Sequence, residues 1–168
     1  MMYKKAITFN DKVTAETILA TDDPRKHKAL GRKVRNFDEH IWDRVKYDIV
    51  VEANWLKCSQ GGAHNEDKFV YSPDGKVQGR DDEVSMREIL LSTGERELVE
   101  ASPLDRIWGI GYSPQNAAAV PRVKWGKNLL GKALMDVREK LRMNAQIAEG
   151  TEDRPNEDGK AAALLVQG

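Results

Sequence analysis

A single cysteine, Cys58, is present in the chain, which excludes an intrachain disulfide and a cysteine-rich zinc site and points to a reducing compartment. His27, His40 and His64 lack the pairwise helical spacing of metal ligands, so no metal is expected. An excess of one charge is missing as well, because 27 Lys and Arg balance 27 Asp and Glu. No global field then draws the chain to nucleic acid or anionic lipid, no generic nucleic-acid patch is expected, and any phosphate recognition has to be local. No run approaches the roughly 18 apolar residues of a membrane span. Met1-Met2-Tyr3-Lys4-Lys5 is not followed by the apolar stretch and small-residue cleavage site of a secretory leader. The expectation is a cytoplasmic protein without membrane contact.

What is present fits one domain and a tail in 168 residues. Residues 12–20 read as a short helix with Val13, Ile18 and Leu19 apolar. Thr21-Asp22-Asp23-Pro24 ends it and caps a second helix running to about Val34. That helix is rich in Lys26, Lys28, Arg32, Lys33 and Arg35, which read as a solvated face or as one that meets phosphate. Asp38 caps a long helix in which Ile41, Val45, Ile49, Ala53 and Leu56 form an apolar stripe, with Trp42 and Trp55 beside it as core. This helix is expected to be the central packing element, stopped by Gly61-Gly62.

From Gly61 to about Val84 the pattern changes, and Ser72-Pro73-Asp74-Gly75 turns between two short apolar runs, as in a hairpin or a long surface loop. Helical pattern resumes over 83–91, followed by a short strand around Leu98 to Ala101. Trp125-Gly126-Lys127-Asn128 opens a final helix with Leu130, Ala133 or Leu134, Val137 and Leu141 on one face. Past Met143 the residues turn polar and small, so 144–168 read as a flexible tail.

The chemistry concentrates between Leu98 and Gly111. Ser102-Pro103 ends the strand, Gly109 and Gly111 allow close backbone approach, and Asp105, Arg106 and Trp108 are displayed from irregular backbone. The alternative is a structural corner in which Asp105 caps, Arg106 pairs with it and Trp108 joins the core. Glu100 either faces a cleft or pairs with Arg138, which otherwise reads as surface charge. Asn128 either binds a ligand hydroxyl or caps the final helix.

Gly31-Arg32-Lys33-Val34 with Phe37 and Trp42, then Leu98-Val99-Glu100-Ala101 through Asp105-Arg106-Ile107-Trp108-Gly109-Ile110-Gly111, then Trp125-Gly126-Lys127-Asn128-Leu129-Leu130-Gly131, Leu134-Met135 and Arg138 occur in one order. This ordered set resembles the NADAR family, the YbiA-like proteins. The resemblance implies a mainly α fold, a compact helical domain with a few short strands over residues 1–143, interrupted by an insert at 61–84. It also implies a cofactor-free N-glycosidase that hydrolyses a ribosyl C–N bond. Its partner would be a small ribosyl-phosphate, as in riboflavin synthesis, or an ADP-ribosylated substrate carrying the ribose on guanine.

In that chemistry Asp105 is the candidate catalytic residue, stabilising a cationic sugar or positioning water. Trp108 would stack on base or sugar, Gly109 and Gly111 would let backbone approach, Lys5 and Arg32 would hold phosphate, and Asn128 would bind a ribose hydroxyl. Family members carry, before the position matching Met1, a segment with a Glu-His-Tyr triplet whose Glu is catalytic. The sequence as it stands starts after that point. The expectations that follow are Trp42 and Trp108 partly exposed, marginal stability or self-association, and an alternative function as an inactive module that binds ADP-ribose or a nucleotide.

Overall fold

A long helix, α4 (Glu39–Gln60), divides the described residues into two packing regions. Ahead of it come α1 (Met2–Thr8), α2 (Lys12–Leu19) and α3 (Pro24–Arg32), and after it α5 (Met86–Ser92), α6 (Pro114–Ala117), a 3-10 turn at Arg122–Lys124 and α7 (Leu129–Glu152). The computed structural model describes residues 1–60 and 85–152, with backbone alone at 60 and 148–152. The expected insert at 61–84 and residues 153–168 lie outside the described residues. α7 runs on past Met143, where the composition changes, to Glu152. Among the described residues no helix is long and apolar enough to cross a membrane.

Local sequence accounts for the starts of α2 to α5. Asp11 and Asp23 cap α2 and α3, with Pro24 at the first position of α3, and Asp38 Oδ1 accepts from the Ile41 N–H at 3.0 Å. α5 opens on a capping box, Ser85 and Glu88 each closing on the other's backbone. The helix therefore starts at Met86, where the apolar pattern placed its start at Glu83.

Two cores follow. Ala6, Phe9, Ala15, Ile18, Val34 and Trp42 gather α1 to α3 on the first half of α4. Cys58, Leu90, Val137 and Leu141 join its second half to α5 and α7, with Trp55 and Leu134 packed beside them. Trp42 is thus core at 8% exposure, as its place beside the α4 stripe predicts and against the expectation of partial exposure. The apolar face of α7 is the expected one.

The stripe on α4 is displaced by one position. Trp42, Lys46, Val50 and Cys58 are its buried residues, while Ile41 and Leu56 are 38% and 42% exposed. A helix with a partner on each side buries a wider arc than the narrow stripe that simple periodicity selects. Lys46 fits inside that arc because its stem is apolar and its ammonium reaches Asp43 one turn back, Nζ to Oδ1 at 2.5 Å.

The expected strand at Leu98–Ala101 is not one, and no strand occurs among the described residues. The backbone partners of this segment are the Asn128 side chain and the N–H groups of Ser102 and Ile110, so no ladder forms.

Asp11, which the sequence did not single out, fastens α2 to the chain after α3. At 1% exposure it accepts from Thr14 N and Oγ1 at 3.2 and 2.7 Å, from Arg35 N at 2.9 Å, and from Arg35 Nε and Nη2 at 3.2 and 2.7 Å. The Arg35 side chain, then its backbone N–H, holds this carboxyl well below the usual carboxylate range. A depressed folded-state pKa stabilises fully above the unfolded value of about 3.9 and progressively less as pH falls through the folded one. The urea-midpoint gap between wild type and Asp11→Asn is therefore expected to be constant near neutrality and to narrow below about pH 4. A gap that stays constant down to pH 2 would show that the charge contributes nothing.

Candidate active site

The turn at 106–110 lies across the entrance of α7. Five consecutive N–H groups, from Gly126 to Leu130, donate to five different carbonyls: Ile110 at 2.7 Å, Arg106 at 2.8 Å, Gly109 at 3.3 Å, Ile107 at 3.2 Å and Trp108 at 3.0 Å. The first two N–H groups of α7 are among them, so protein carbonyls, and not a phosphate, occupy its N-terminus. Such closeness needs glycine. A Cβ at Gly126 would sit 2.5 Å from both the Arg106 and the Gly109 carbonyl oxygens, and one at Gly109 would sit 2.7 Å from the Glu100 oxygen. Gly109 and Gly111 thus admit the protein's own chain, with Gly111 at φ +78° against the Arg106 side chain.

Asn128 closes the other side. In the left-handed region at φ +51°, its Oδ1 accepts from the Glu100 N–H at 3.0 Å and its Nδ2 donates to the Leu98 carbonyl at 2.8 Å. The two polar atoms expected to meet a ribose hydroxyl thus hold the 98–100 segment. Asn128 also differs from an ordinary N-cap, whose side chain serves its own helix.

Asp105 is half-buried, and a single oxygen, Oδ1, accepts from the Ile107 and Trp108 N–H groups at 2.9 and 2.7 Å. Oδ2 has no partner among the described residues. The corner alternative is only half realised, because Arg106 does not pair with Asp105. Its Nη2 donates to the Lys124 carbonyl at 2.7 Å, and its guanidinium lies 5.7 Å from the centre of the Tyr112 ring. Trp108 is half-buried on the same turn.

Glu100 does not pair with Arg138, nor is Arg138 surface charge. At 4% exposure Arg138 donates from Nη1 to Thr93 Oγ1 at 2.7 Å and to the Arg96 carbonyl at 2.9 Å, tying the end of α5 to α7. Glu100 is half-buried, with a carboxylate that meets no donor among the described residues.

Lys5 and Arg32 form a second group at the end of α3. The Lys5 ammonium donates to the Gly31 carbonyl at 2.9 Å and lies 3.9 Å from the Phe37 ring centre and 5.7 Å from that of Trp42. Burial pushes its pKa below the ordinary lysine value. Arg32 is exposed beside it, without an ion pair among the described residues. The two groups share no hydrogen bond, and the start of α4 borders the second. There Trp42 faces Lys5, and Asp43 feels Lys46 first and Lys127 more weakly, both lowering its pKa.

The family model of the NADAR domain matches residues 1–142. An N-glycosidase of Acanthamoeba polyphaga mimivirus is 44% identical over 140 residues, which are 83% of this chain and 69% of that protein. An N-glycosidase of Nostoc punctiforme is 34% identical over 139 residues, again 83% of this chain and 69% of that protein. A riboflavin biosynthesis protein of Vibrio vulnificus is 29% identical over 143 residues, which are 85% of this chain but 30% of that protein.

Proposed function

The chain belongs to the NADAR family, and on that premise we propose that it hydrolyses the bond between a ribosyl anomeric carbon and a nitrogen. Breaking that bond builds positive charge on the sugar, so the site needs a fixed negative group beside the anomeric carbon, an oriented water and a proton for the departing nitrogen. The observation that carries the reading is the Asp105 carboxylate. Two N–H groups of its own turn anchor Oδ1, which stops the group from swinging and leaves Oδ2 to face a cation. Trp108 offers a flat face from the same turn. Lys5 and Arg32 supply the cations for a phosphate at the far end of the substrate.

Similarity to a riboflavin biosynthesis protein supports a phosphoribosylamino-pyrimidine as substrate, and an ADP-ribosyl group on guanine presents the same C–N bond. The test is release of the base, followed by chromatography, from each of these two compounds. Release from one names the substrate class. Calorimetric binding of ADP-ribose with no release from either would make the chain an inactive binding module, and neither binding nor release would overturn the reading.

A further inference from the structure

We propose that Glu100 is the base that takes the proton of the attacking water, and that Asn128 is the residue that positions it. The inference rests on the N-glycosidase reading and adds a second carboxylate to it. Both backbone polar groups of Glu100 are engaged, its N–H by Asn128 Oδ1 and its carbonyl by the Ser102 and Ile110 N–H groups at 2.9 Å each, and the Leu98 carbonyl is held by Asn128 Nδ2. The main chain at Glu100 is therefore registered to the entrance of α7 through Asn128. Its side chain runs along Gly109: a Cβ built there would be 3.2 Å from Glu100 Cγ and 2.9 Å from the Asp105 carbonyl oxygen. Gly109 thus lies between the Glu100 side chain and the backbone of the turn that carries Asp105.

The surroundings of Glu100 suit a base better than a structural ion pair. Arg138, the cation expected to neutralise it, is committed to Thr93 and Arg96. Glu100 also lines a cavity of about 170 Å³ whose other walls come from Leu98, Val99, Leu130, Gly131 and Leu134. Among these described residues Glu100 alone is polar, and the space accommodates water. In the reaction, water oxygen bonds to the anomeric carbon while one of its protons passes to the Glu100 carboxylate, and the C–N electron pair leaves with the nitrogen. The proton on Glu100 then passes to that nitrogen, which restores the carboxylate. The net change is addition of one water across the C–N bond, with Asp105 balancing the transient positive charge.

Glu100→Gln keeps the shape and deletes no hydrogen bond among the described residues, while Asn128→Gly keeps the left-handed backbone and deletes both amide bonds. Initial rates of base release from the two compounds above are measured for wild type, each variant and the double variant. Glu100→Gln is expected to lower kcat about 100-fold or more with KM within a few-fold. Asn128→Gly is expected to lower kcat about 10-fold in wild type and by less than 2-fold beside Glu100→Gln, since a positioning residue has nothing to position once the base is gone. A merely structural Asn128 would cost the same in both backgrounds, which overturns its role. Wild-type kcat in Glu100→Gln overturns the inference alone, and no turnover in wild type overturns it together with the function. If Asn128→Gly fails to fold, the Glu100→Gln rate decides.

Discussion

Gly131→Ala is expected to destabilise the domain by about 3 kcal/mol or more, roughly 10 °C in Tm. Gly131 lies in the first turn of α7, where alanine would ordinarily improve the helix by about 1 kcal/mol. A Cβ there, however, would lie 2.1 Å from the Leu98 carbonyl oxygen and 2.5 and 2.7 Å from the two polar atoms of the Asn128 amide. The new methyl occupies the place of the clamp itself. Backbone cannot yield as a long side chain can, so the 98–100 segment has to leave α7 and take with it the bonds that register Glu100. The control is Gly94→Ala at the end of α5, where φ is +57° and a Cβ meets nothing within 4 Å. Left-handed strain alone sets that cost, about 1–2 kcal/mol. Urea unfolding followed by circular dichroism compares the two, and a Gly131→Ala midpoint at or above that of Gly94→Ala would refute the steric argument.

Gly131 also shows where sequence reading stops. A glycine one turn inside a helix with no break in pattern is a signal of close approach, but nothing local says which segment approaches. The same limit explains Asn128. Its type and place, just ahead of an apolar face, read equally as a cap or as a ligand contact. Only the arrival of Leu98 and Glu100, some 30 residues earlier, decides its use. Arg138 was misread for the same reason: an arginine near a helix face looks solvated until α5 ends against it. What was legible lay within one turn of chain. Asp23, Asp38 and the Asp105 turn were readable because acceptor and donors lie two or three residues apart. The apolar face of α7 was readable because one core covers it, whereas α4 serves two cores and its stripe came out one position off. The family was legible because its motif residues recur in one order, and Gly109, Gly126 and Gly131 among them stand where a Cβ would meet backbone.

Asp105→Asn is expected to lower kcat by roughly 1,000-fold while leaving the fold intact. The carboxamide oxygen still accepts from the Ile107 and Trp108 N–H groups, which both bond to one oxygen of Asp105, so the turn persists. What is lost is one negative charge facing the sugar. At about 4 Å from the anomeric carbon and an effective dielectric near 20, that charge is worth about 4 kcal/mol against a full positive charge, or close to three decades in rate. The ground-state sugar is neutral, so binding feels little of this, and KM should change by no more than about 3-fold. Asp105→Ala is the necessary companion. It loses the charge and also both turn hydrogen bonds, so it should match Asp105→Asn in kcat but unfold at lower urea, by about 1 kcal/mol. If Asp105 merely shapes the turn, the two variants part: the asparagine variant works at nearly wild-type rate and only the alanine variant fails. Because one reading makes the two variants equally slow and the other slows the alanine variant alone, a pair of rate measurements on folded variants separates a carboxylate that stabilises a cation from one that only caps a turn.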